Sequence, residues 1–213
     1  FDQPHCQAIS DFLMGKLFLS DDVVDYAAPV VATIAEHRHA DEPMAVVGLH
    51  CRFPGHANDP GAFWHNLQQG RYSVGEIPAT RWDVNAYYDP DPSVNGKTYV
   101  RHAGLIDEVD QFDAELFSIA PREVTTMDPQ QRVVLEVAWH ALENAGISPS
   151  SLEGSQTGIF IGIGSNEYYQ LLQRSSLPAE DTGYMASGNA LNVVAGRLSY
   201  LLGLHGPAMA VDT

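Results

Sequence analysis

The side chains best suited to covalent or metal chemistry in this sequence are two cysteines and one close pair of histidines. Cys51 could act as a reactive thiol, although a cysteine in an apolar setting more often packs as a small hydrophobic residue. His37 and His39 could bind a metal ion, but no third or fourth ligand lies near them at a recognised spacing. Cys6 and Cys51 are too few for a disulfide framework, so we expect a reducing, cytoplasmic environment.

A glycine pair and two aspartates allow further functional interpretations. Gly162 and Gly164 could open a dinucleotide-binding turn, but the third glycine of that motif would fall at Glu167, whose carboxylate would repel a pyrophosphate. A serine nucleophile elbow is also disfavoured, because its central position holds Gly164. Asp89 and Asp91 could belong to a calcium loop, yet the glycine and the distal glutamate of such a loop are missing, which favours solvated turns.

Length and charge limit the functional classes. The 213 residues can form one or two domains, and 45% hydrophobic with 18% charged residues is typical of a folded globular protein. Acidic residues outnumber basic ones by 27 to 11, which gives a net charge of −16 and no basic stripe for a phosphate backbone. No apolar stretch approaches the roughly 20 residues that a membrane span needs. We therefore expect neither nucleic acid nor a membrane among the partners.

The elements that would position these side chains alternate between strands and helices. Continuous apolar runs predict three buried strands, at 44–49, 157–164 and 208–211. Helical spacing and capping residues predict helices at 60–69, 129–145, 167–173 and 190–202. The alternation indicates an α/β fold with a mostly parallel sheet.

Two of the predicted helices begin at an aspartate followed by proline. Asp59 with Pro60 and Asp128 with Pro129 are favourable starts, because the aspartate accepts from free N–H groups and proline has none to leave unpaired. Gln131 is placed to reach back and complete a capping box at the second start. We predict that this second helix packs through its apolar positions, which are Val134, Val137, Ala138, Ala141, Leu142 and Ala145.

The last predicted helix is capped by Asn189 and ends before Gly203, which can adopt the left-handed conformation past a helix C-terminus. Its buried face is predicted to consist of Leu191, Val194, Ala195, Leu198 and Leu202.

Three motifs carry a resemblance to one family. The closing run AGRLSYLLGLHGPAMAVDT is similar to the segment that leads to the nucleophile of modular polyketide ketosynthases. MDPQQR at 127–132 resembles the start of a ketosynthase helix, where we expect Gln130 and Arg132 to organise structure. EPMAVVGLHCRFPG at 42–55 resembles the opening of the same domain. Where Ser118 stands, the family more often has glycine.

This resemblance implies the first, N-terminal half of a thiolase-like α/β fold, truncated just before the nucleophile. In the family the strand continues from Val-Asp-Thr into Ala-Cys-Ser-Ser, and two histidines follow much later. The nucleophilic cysteine and both histidines are therefore expected beyond Thr213, no catalytic residue is placed in this sequence, and the chain alone is expected to be inactive. The resemblance implies substrate-binding roles, as acyl-tunnel wall, for Met127 and Asn189.

The resemblance also implies a domain order and a set of partners. Residues 43–213 correspond to the N-terminal part of the ketosynthase domain, 18–42 to a linker, and 1–17 to the tail of an acyl carrier domain. The expected partners are acyl carrier domains, the remainder of the ketosynthase, and a twin chain paired through residues 208–212. No cofactor is expected on the chain itself, since phosphopantetheine is borne by the carriers.

Two other functions remain open on the sequence. The chain could come from the condensing domain of a fatty-acid or polyunsaturated-lipid synthase, which shares the fold. It could also be a non-catalytic split half that acts as an interaction module. The MDPQQR helix and the carrier-like start favour the modular polyketide synthase.

Overall fold

The computed structural model describes residues 43–178 and 180–212, and all of the secondary structure of these residues lies in the compact unit that begins at Val46. Its helices are α1 (Pro60–Gln68), α2 (Val84–Tyr87), α3 (Pro121–Thr126), α4 (Pro129–Ala145), α5 (Glu167–Arg174), α6 (Thr182–Asn189) and α7 (Val193–Leu201). Its strands are β1 (Gly75–Glu76), β2 (His102–Ala103), β3 (Ile159–Gly162) and β4 (Ala208–Val211).

Some of the predictions fall outside the described residues. The carrier tail at 1–17 and the linker at 18–42 lie there, and with them Cys6, His37 and His39. Thr213, the position beyond which the nucleophilic cysteine and both histidines are expected, lies there as well. The domain order and the placement of the catalytic residues therefore stay predictions.

The parallel pair β3–β4 is the main sheet of the described chain. Its register runs from Ile159 opposite Ala208 to Gly162 opposite Val211, and α7 packs across one face. β1 and β2 form a separate antiparallel pair. Two of the three predicted strands are therefore present, although the sheet is narrower than the alternation of elements predicted.

The strand predicted at 44–49 is wrong. No strand is assigned there, and the side chains of Val46, Val47 and Leu49 are 82%, 69% and 50% exposed. Instead, residues 48–52 lie along α4: the Leu49 N–H donates to Asn144 Oδ1 at 3.1 Å. An apolar run becomes a buried strand only where neighbouring strands offer backbone partners, and the described chain offers this run none.

The core forms where α4 and α7 meet β3. Its buried members are apolar side chains from separate parts of the chain: Phe117, Met127, Leu135, Ile159, Ala195, Leu198, Leu202 and Leu204. The predicted face of the last helix is largely confirmed: Val194, Ala195, Leu198 and Leu202 are buried, whereas Leu191 is half-buried and precedes the helix. The predicted face of α4 is only partly right. Ala138 and Leu142 pack against this core while half-buried, but the buried residues of the helix are Gln131, Arg132 and Leu135, which were not predicted.

One face of the β3–β4 pair is largely uncovered in the described chain. Phe160, Met209 and Val211 alternate with the residues that face α7 and are 64%, 47% and 44% exposed. The prediction that 208–211 is a buried strand is therefore wrong for the outward-facing positions. A pleated strand sends alternate side chains to opposite faces, so a covering layer on one side buries only half of them.

The aspartate caps are confirmed, whereas two other capping predictions are wrong. Asp59 accepts from the Ala62 N–H and Asp128 from the Gln130 N–H, both at 2.8 Å. Gln131 does not reach back to its own helix start, because its side chain contacts residues 187 and 190. Asn189 is the last residue of α6, and α7 begins only at Val193. Gly203 has the predicted left-handed conformation, with φ of +64°.

Ser118 occupies a backbone conformation that favours glycine, with φ of +52°. A non-glycine residue pays about 1–2 kcal/mol there through the contact of its Cβ with the following carbonyl. Ser118→Gly should therefore raise the free energy of unfolding, by about 0.5–1 kcal/mol after the added freedom of the unfolded chain is subtracted. Denaturant unfolding measures the difference.

The matched control is Ser176→Gly, at an exposed loop position without positive φ. It should leave the free energy of unfolding unchanged or slightly lower. Equal effects of the two substitutions would show that Ser118 is not strained.

Candidate functional site

The structure brings Met127 and Asn189 together, although they come from distant parts of the sequence. The Asn189 Nδ2 donates to the carbonyl of Thr126, 63 positions away, and to that of Met185, both at 2.8 Å. The Asp128 N–H donates to the Gly188 carbonyl at 2.9 Å. We call this contact of residues 126–128 with residues 188–189 the Met127–Asn189 junction. Met127 is fully buried and Asn189 is 3% exposed.

Gly188 makes the close approach at the junction sterically possible. A Cβ on this residue would lie 2.9 Å from the Thr126 carbonyl oxygen and 3.0 Å from the Met127 Cα. Those are backbone atoms, which cannot rotate away as the end of a side chain can. The junction is therefore formed largely by main chain against main chain, with a glycine at the closest point.

The start of α4 fixes the junction through its two glutamines. Gln130 Nε2 donates to the Ser165 carbonyl at 2.8 Å, which ties the helix start to the loop before α5. Gln131 is 2% exposed, and its Nε2 faces the carbonyls of Ser187 and Ala190, each at 3.4 Å. Arg132 is also buried. The DPQQR motif thus helps to hold the α6–α7 turn in place. Gln131 contacts the carbonyl groups of that turn, a role that the capping prediction missed.

An ion pair supports the same turn from the other side. Arg197 on α7 donates through Nη1 to Glu123 Oε1 at 2.6 Å and through Nε to Gln131 Oε1 at 3.2 Å. The side chains of Arg197 and Glu123 are only 15% and 19% exposed. Helices α3, α4 and α7 are therefore linked by one partly buried polar network next to the junction.

A cavity of about 190 Å³ adjoins the junction at Asn189. The residues that line it are neutral and come from α5 and α6 with their flanks: Asn166, Tyr169, Met185, Ala186, Asn189 and Ala190. Met127 is not in this lining, since its side chain points into the core cluster. No cysteine, histidine or carboxylate lines the cavity, so it can accommodate a neutral group but offers neither an activated nucleophile nor a general base.

Cys51 lies apart from the junction and is not activated. Burial, and secondarily the Asp59 carboxylate, raise the pKa of its thiol above the ordinary value. Its two neighbours in sequence are engaged elsewhere, because His50 stacks on His140 and Arg52 pairs with Glu136 at 2.7 Å. A thiol held in its protonated form is a poor nucleophile, which agrees with the prediction of a packed cysteine.

Gly164 and the aspartate pair have structural explanations. At Gly164 a Cβ would lie 2.7 Å from Asp212 Oδ1, so the glycine allows the residue after β4 to approach. Asp89 and Asp91 accept the N–H groups of Asp91 and Ser93 at 2.9 Å, which is the predicted turn chemistry. Across residues 43–178 and 180–212, no three histidines, cysteines or carboxylates are arranged to hold a metal ion, and no helix is long and apolar enough to cross a membrane.

Comparison with known proteins decides what this arrangement is. The family model "Beta-ketoacyl synthase, N-terminal domain" matches residues 41–213. The chain belongs to the beta-ketoacyl synthase family. It is 51% identical over 172 residues to a phenolphthiocerol/phthiocerol polyketide synthase protein of Mycobacterium tuberculosis, a match that covers 81% of the chain. It is 42% identical over its whole length to a component of the pikromycin polyketide synthase of Streptomyces venezuelae.

Solved ketosynthases share the fold of this family member. The oxazolomycin ketosynthase domain of Streptomyces albus superimposes with a TM-score of 0.68 at 35% identity over 78% of the chain. The ketosynthase from module 6 of the bacillaene synthase of Bacillus subtilis gives 0.66 at 37% identity over 79%. The described residues therefore have the fold of the N-terminal half of a thiolase-like ketosynthase, as the resemblance implied.

The chain spans only part of these relatives. It covers 11% of the mycobacterial protein and 6% of the pikromycin component. Among the solved ketosynthases it covers 28% and 26% of the two chains.

Proposed function

We propose that this chain supplies the N-terminal part of a ketosynthase in a modular type I polyketide synthase. The complete domain would accept an acyl group from a carrier thioester onto a cysteine and release the carrier thiol. A malonyl-type unit on a second carrier would then lose carbon dioxide, and its carbanion would attack the acyl-cysteine thioester. The new carbon–carbon bond extends the chain by two carbons and frees the cysteine.

The observation that carries this proposal is the Met127–Asn189 junction, built by the ketosynthase-like MDPQQR helix start. The junction places Asn189 against a neutral cavity and holds the α6–α7 turn with buried glutamine and arginine contacts. We assign Asn189 to the surface of the acyl-tunnel wall and Met127 to the packed layer directly behind it, where both shape the space and take no part in bond making. Preorganised walls of this kind position an acyl group without reacting with it.

The reactive groups are assigned to the remainder of the ketosynthase, beyond Thr213. Neither cysteine of this sequence stands at the family's nucleophile position, and no histidine matches the two that act in decarboxylation. His140 hydrogen-bonds Glu143 on its own helix at 2.8 Å, and His205 is exposed. The chain by itself is therefore inactive in acyl transfer.

The partners follow from the same proposal. Acyl carrier domains deliver both substrates on phosphopantetheine. Residues 1–17 are the tail of one such carrier domain, and the linker at 18–42 joins it to the ketosynthase part. The exposed edge and outward face of β4 leave room for a twin chain and for the rest of the domain. We propose a cytoplasmic location because the two cysteines are too few for a disulfide framework.

The experiment that tests this function offers the purified chain an acyl thioester and follows acyl transfer by intact mass. The expected result is no enzyme-bound acyl group, whereas an intact ketosynthase treated in parallel becomes acylated. An acyl group that is bound by the chain and turned over would overturn the assignment of the reactive groups elsewhere.

A further inference from the structure

The exposed turn at residues 94–97 presents an asparagine directly before a glycine. Asn95 and Gly96 are both exposed, and an Asn-Gly pair occurs at no other place in the sequence. Gly96 has a φ of +75°, and nothing lies within 4 Å of the position that a Cβ would take. The Lys97 N–H closes the turn by donating to the Val94 carbonyl at 3.3 Å.

The groups of this pair that can react with each other have no competing partner. Among the described residues, neither the Asn95 side-chain amide nor the Gly96 N–H takes part in a hydrogen bond. The free amide can rotate toward the following backbone nitrogen, and glycine places no side chain in its way. Opening of the turn breaks the bond between Lys97 and Val94, which is longer than an ordinary N–H···O bond.

We propose that Asn95 is a site of spontaneous deamidation, whose isoaspartate product loosens the loop at 89–98 from α2. The Gly96 backbone nitrogen attacks the side-chain carbonyl carbon of Asn95 and forms a new carbon–nitrogen bond. The bond from that carbon to the side-chain nitrogen breaks, and this nitrogen leaves as ammonia with the proton of the Gly96 N–H. Water then opens the resulting cyclic succinimide at either carbonyl, which gives aspartate or isoaspartate.

The contacts just after the turn are the ones that isoaspartate disturbs. Lys97 Nζ donates to the Ala86 carbonyl at 2.7 Å, and the Thr98 N–H donates to the Tyr87 carbonyl at 2.8 Å. Both bonds attach the loop to α2. Isoaspartate at position 95 adds one methylene group to the main chain and a carboxylate to the turn, so the residues that follow are displaced from their carbonyl partners.

Incubation of the whole chain at mildly alkaline pH, in water enriched in heavy oxygen, tests the modification. Peptide mass spectrometry should find the heavy label at Asn95, with fragment ions of both aspartate and isoaspartate. The rate should be close to that of a synthetic peptide of residues 91–99, because the fold leaves the pair accessible. Asn58 is exposed but precedes Asp59, and it should stay unconverted over the same period.

Matched glycine variants identify the attacking nitrogen. Gly96→Ala should lower the rate at Asn95 by about tenfold or more, because a methyl group beside the nitrogen raises the barrier to attack. Gly70→Ala is the control, since Gly70 also has a positive φ, of +59°, and open space around its Cβ position. It should leave the rate at Asn95 unchanged. No label at Asn95 while the peptide converts, equal conversion at Asn58, or an unchanged rate in Gly96→Ala would each overturn the proposal.

Hydrogen exchange tests the loosening of the loop separately. Freshly purified Asn95→Asp carries the new charge without the longer main chain and should keep the protection of the Thr98 amide. In the isoaspartate form this protection should fall by about fivefold to tenfold, as expected for the loss of one or two hydrogen bonds. Equal protection of Thr98 in the two forms would overturn the proposed effect on α2.

Discussion

Gly206→Ala is expected to lower the free energy of unfolding by about 3 kcal/mol or more, at the upper end of the cost of overpacking a core. A Cβ on Gly206 would lie 2.3 Å from the carbonyl oxygen and 2.5 Å from the carbonyl carbon of Thr157. These atoms belong to the main chain leading into β3. The neighbouring bonds, His205 N–H to Ser155 and Ile159 N–H to Pro207, leave that main chain little freedom to move aside.

The control for this substitution is Gly196→Ala in the middle of α7. Nothing lies within 4 Å of a Cβ there, and the residue is helical. Alanine is favoured over glycine in a helix by about 1 kcal/mol, so this variant should be more stable than the wild type. Denaturant midpoints of both variants measure the contrast. A Gly206→Ala variant as stable as the wild type would contradict the close contact between Gly206, just before β4, and Thr157, just before β3.

Arg197→Ala is expected to cost about 3 kcal/mol, because it leaves a partly buried carboxylate without its counter-ion. Glu123 would lose the Arg197 Nη1 donor at 2.6 Å, and Gln131 Oε1 would lose its donor at 3.2 Å in an almost fully buried position. The loss should be smaller in Arg197→Ala combined with Glu123→Gln, since the unpaired charge is then absent. Urea unfolding of the single and double variants measures the coupling.

The matched control is Glu180→Gln, which removes the charge of one exposed ion pair and leaves the longer contact of Arg122 with Asp181 in place. Arg122 contacts Glu180 at 3.1 Å, and both side chains are more than half exposed, at 61% and 64%. Exposed pairs contribute about 0–1 kcal/mol, so this variant should remain close to the wild type. Similar losses in the Glu180→Gln and Arg197→Ala variants would contradict a special role for the network beside the junction.

Local features of the sequence predicted α1, α4 and α5 closely, whereas α2, α3 and α6 were not predicted. Asp59 and Asp128 are followed by proline, and both cap their helices as expected, since capping involves atoms within one turn. The apolar spacing of the last helix identified its buried face because that face packs on a strand close by in sequence. Ser118 was marked by the resemblance as a glycine position, and its positive φ explains why.

Features that depend on distant partners were missed. The apolar run at 44–49 has strand composition, but strand formation requires a neighbour that the described chain does not provide. Gln131 was interpreted within its own helix, whereas its contacts lie on the α6–α7 turn. A glutamine buried at a helix start gives only a weak indication of such a contact, because local spacing does not say which carbonyls will face it.

The resemblance placed Met127 and Asn189 in one site, and the structure explains how their backbones meet. Sequence spacing alone could not predict this contact. It joins Asn189 to Thr126, 63 positions away, and depends on the close approach of a glycine, which has no side chain. The tunnel-wall roles of the two residues remain predictions, as does the position of the reactive groups beyond Thr213.

Acyl transfer to the purified chain is the most direct test of the proposed function. The proposal is that this chain has a structural role and that the reactive residues lie in the rest of the ketosynthase. Incubation with an acyl thioester of N-acetylcysteamine, followed by intact and peptide mass spectrometry, should detect no acyl group. Cys51→Ala should likewise show no added acyl mass, and an intact ketosynthase should be acylated in parallel. An acyl group on Cys51 that is discharged and replaced in repeated turnovers would contradict the proposed function.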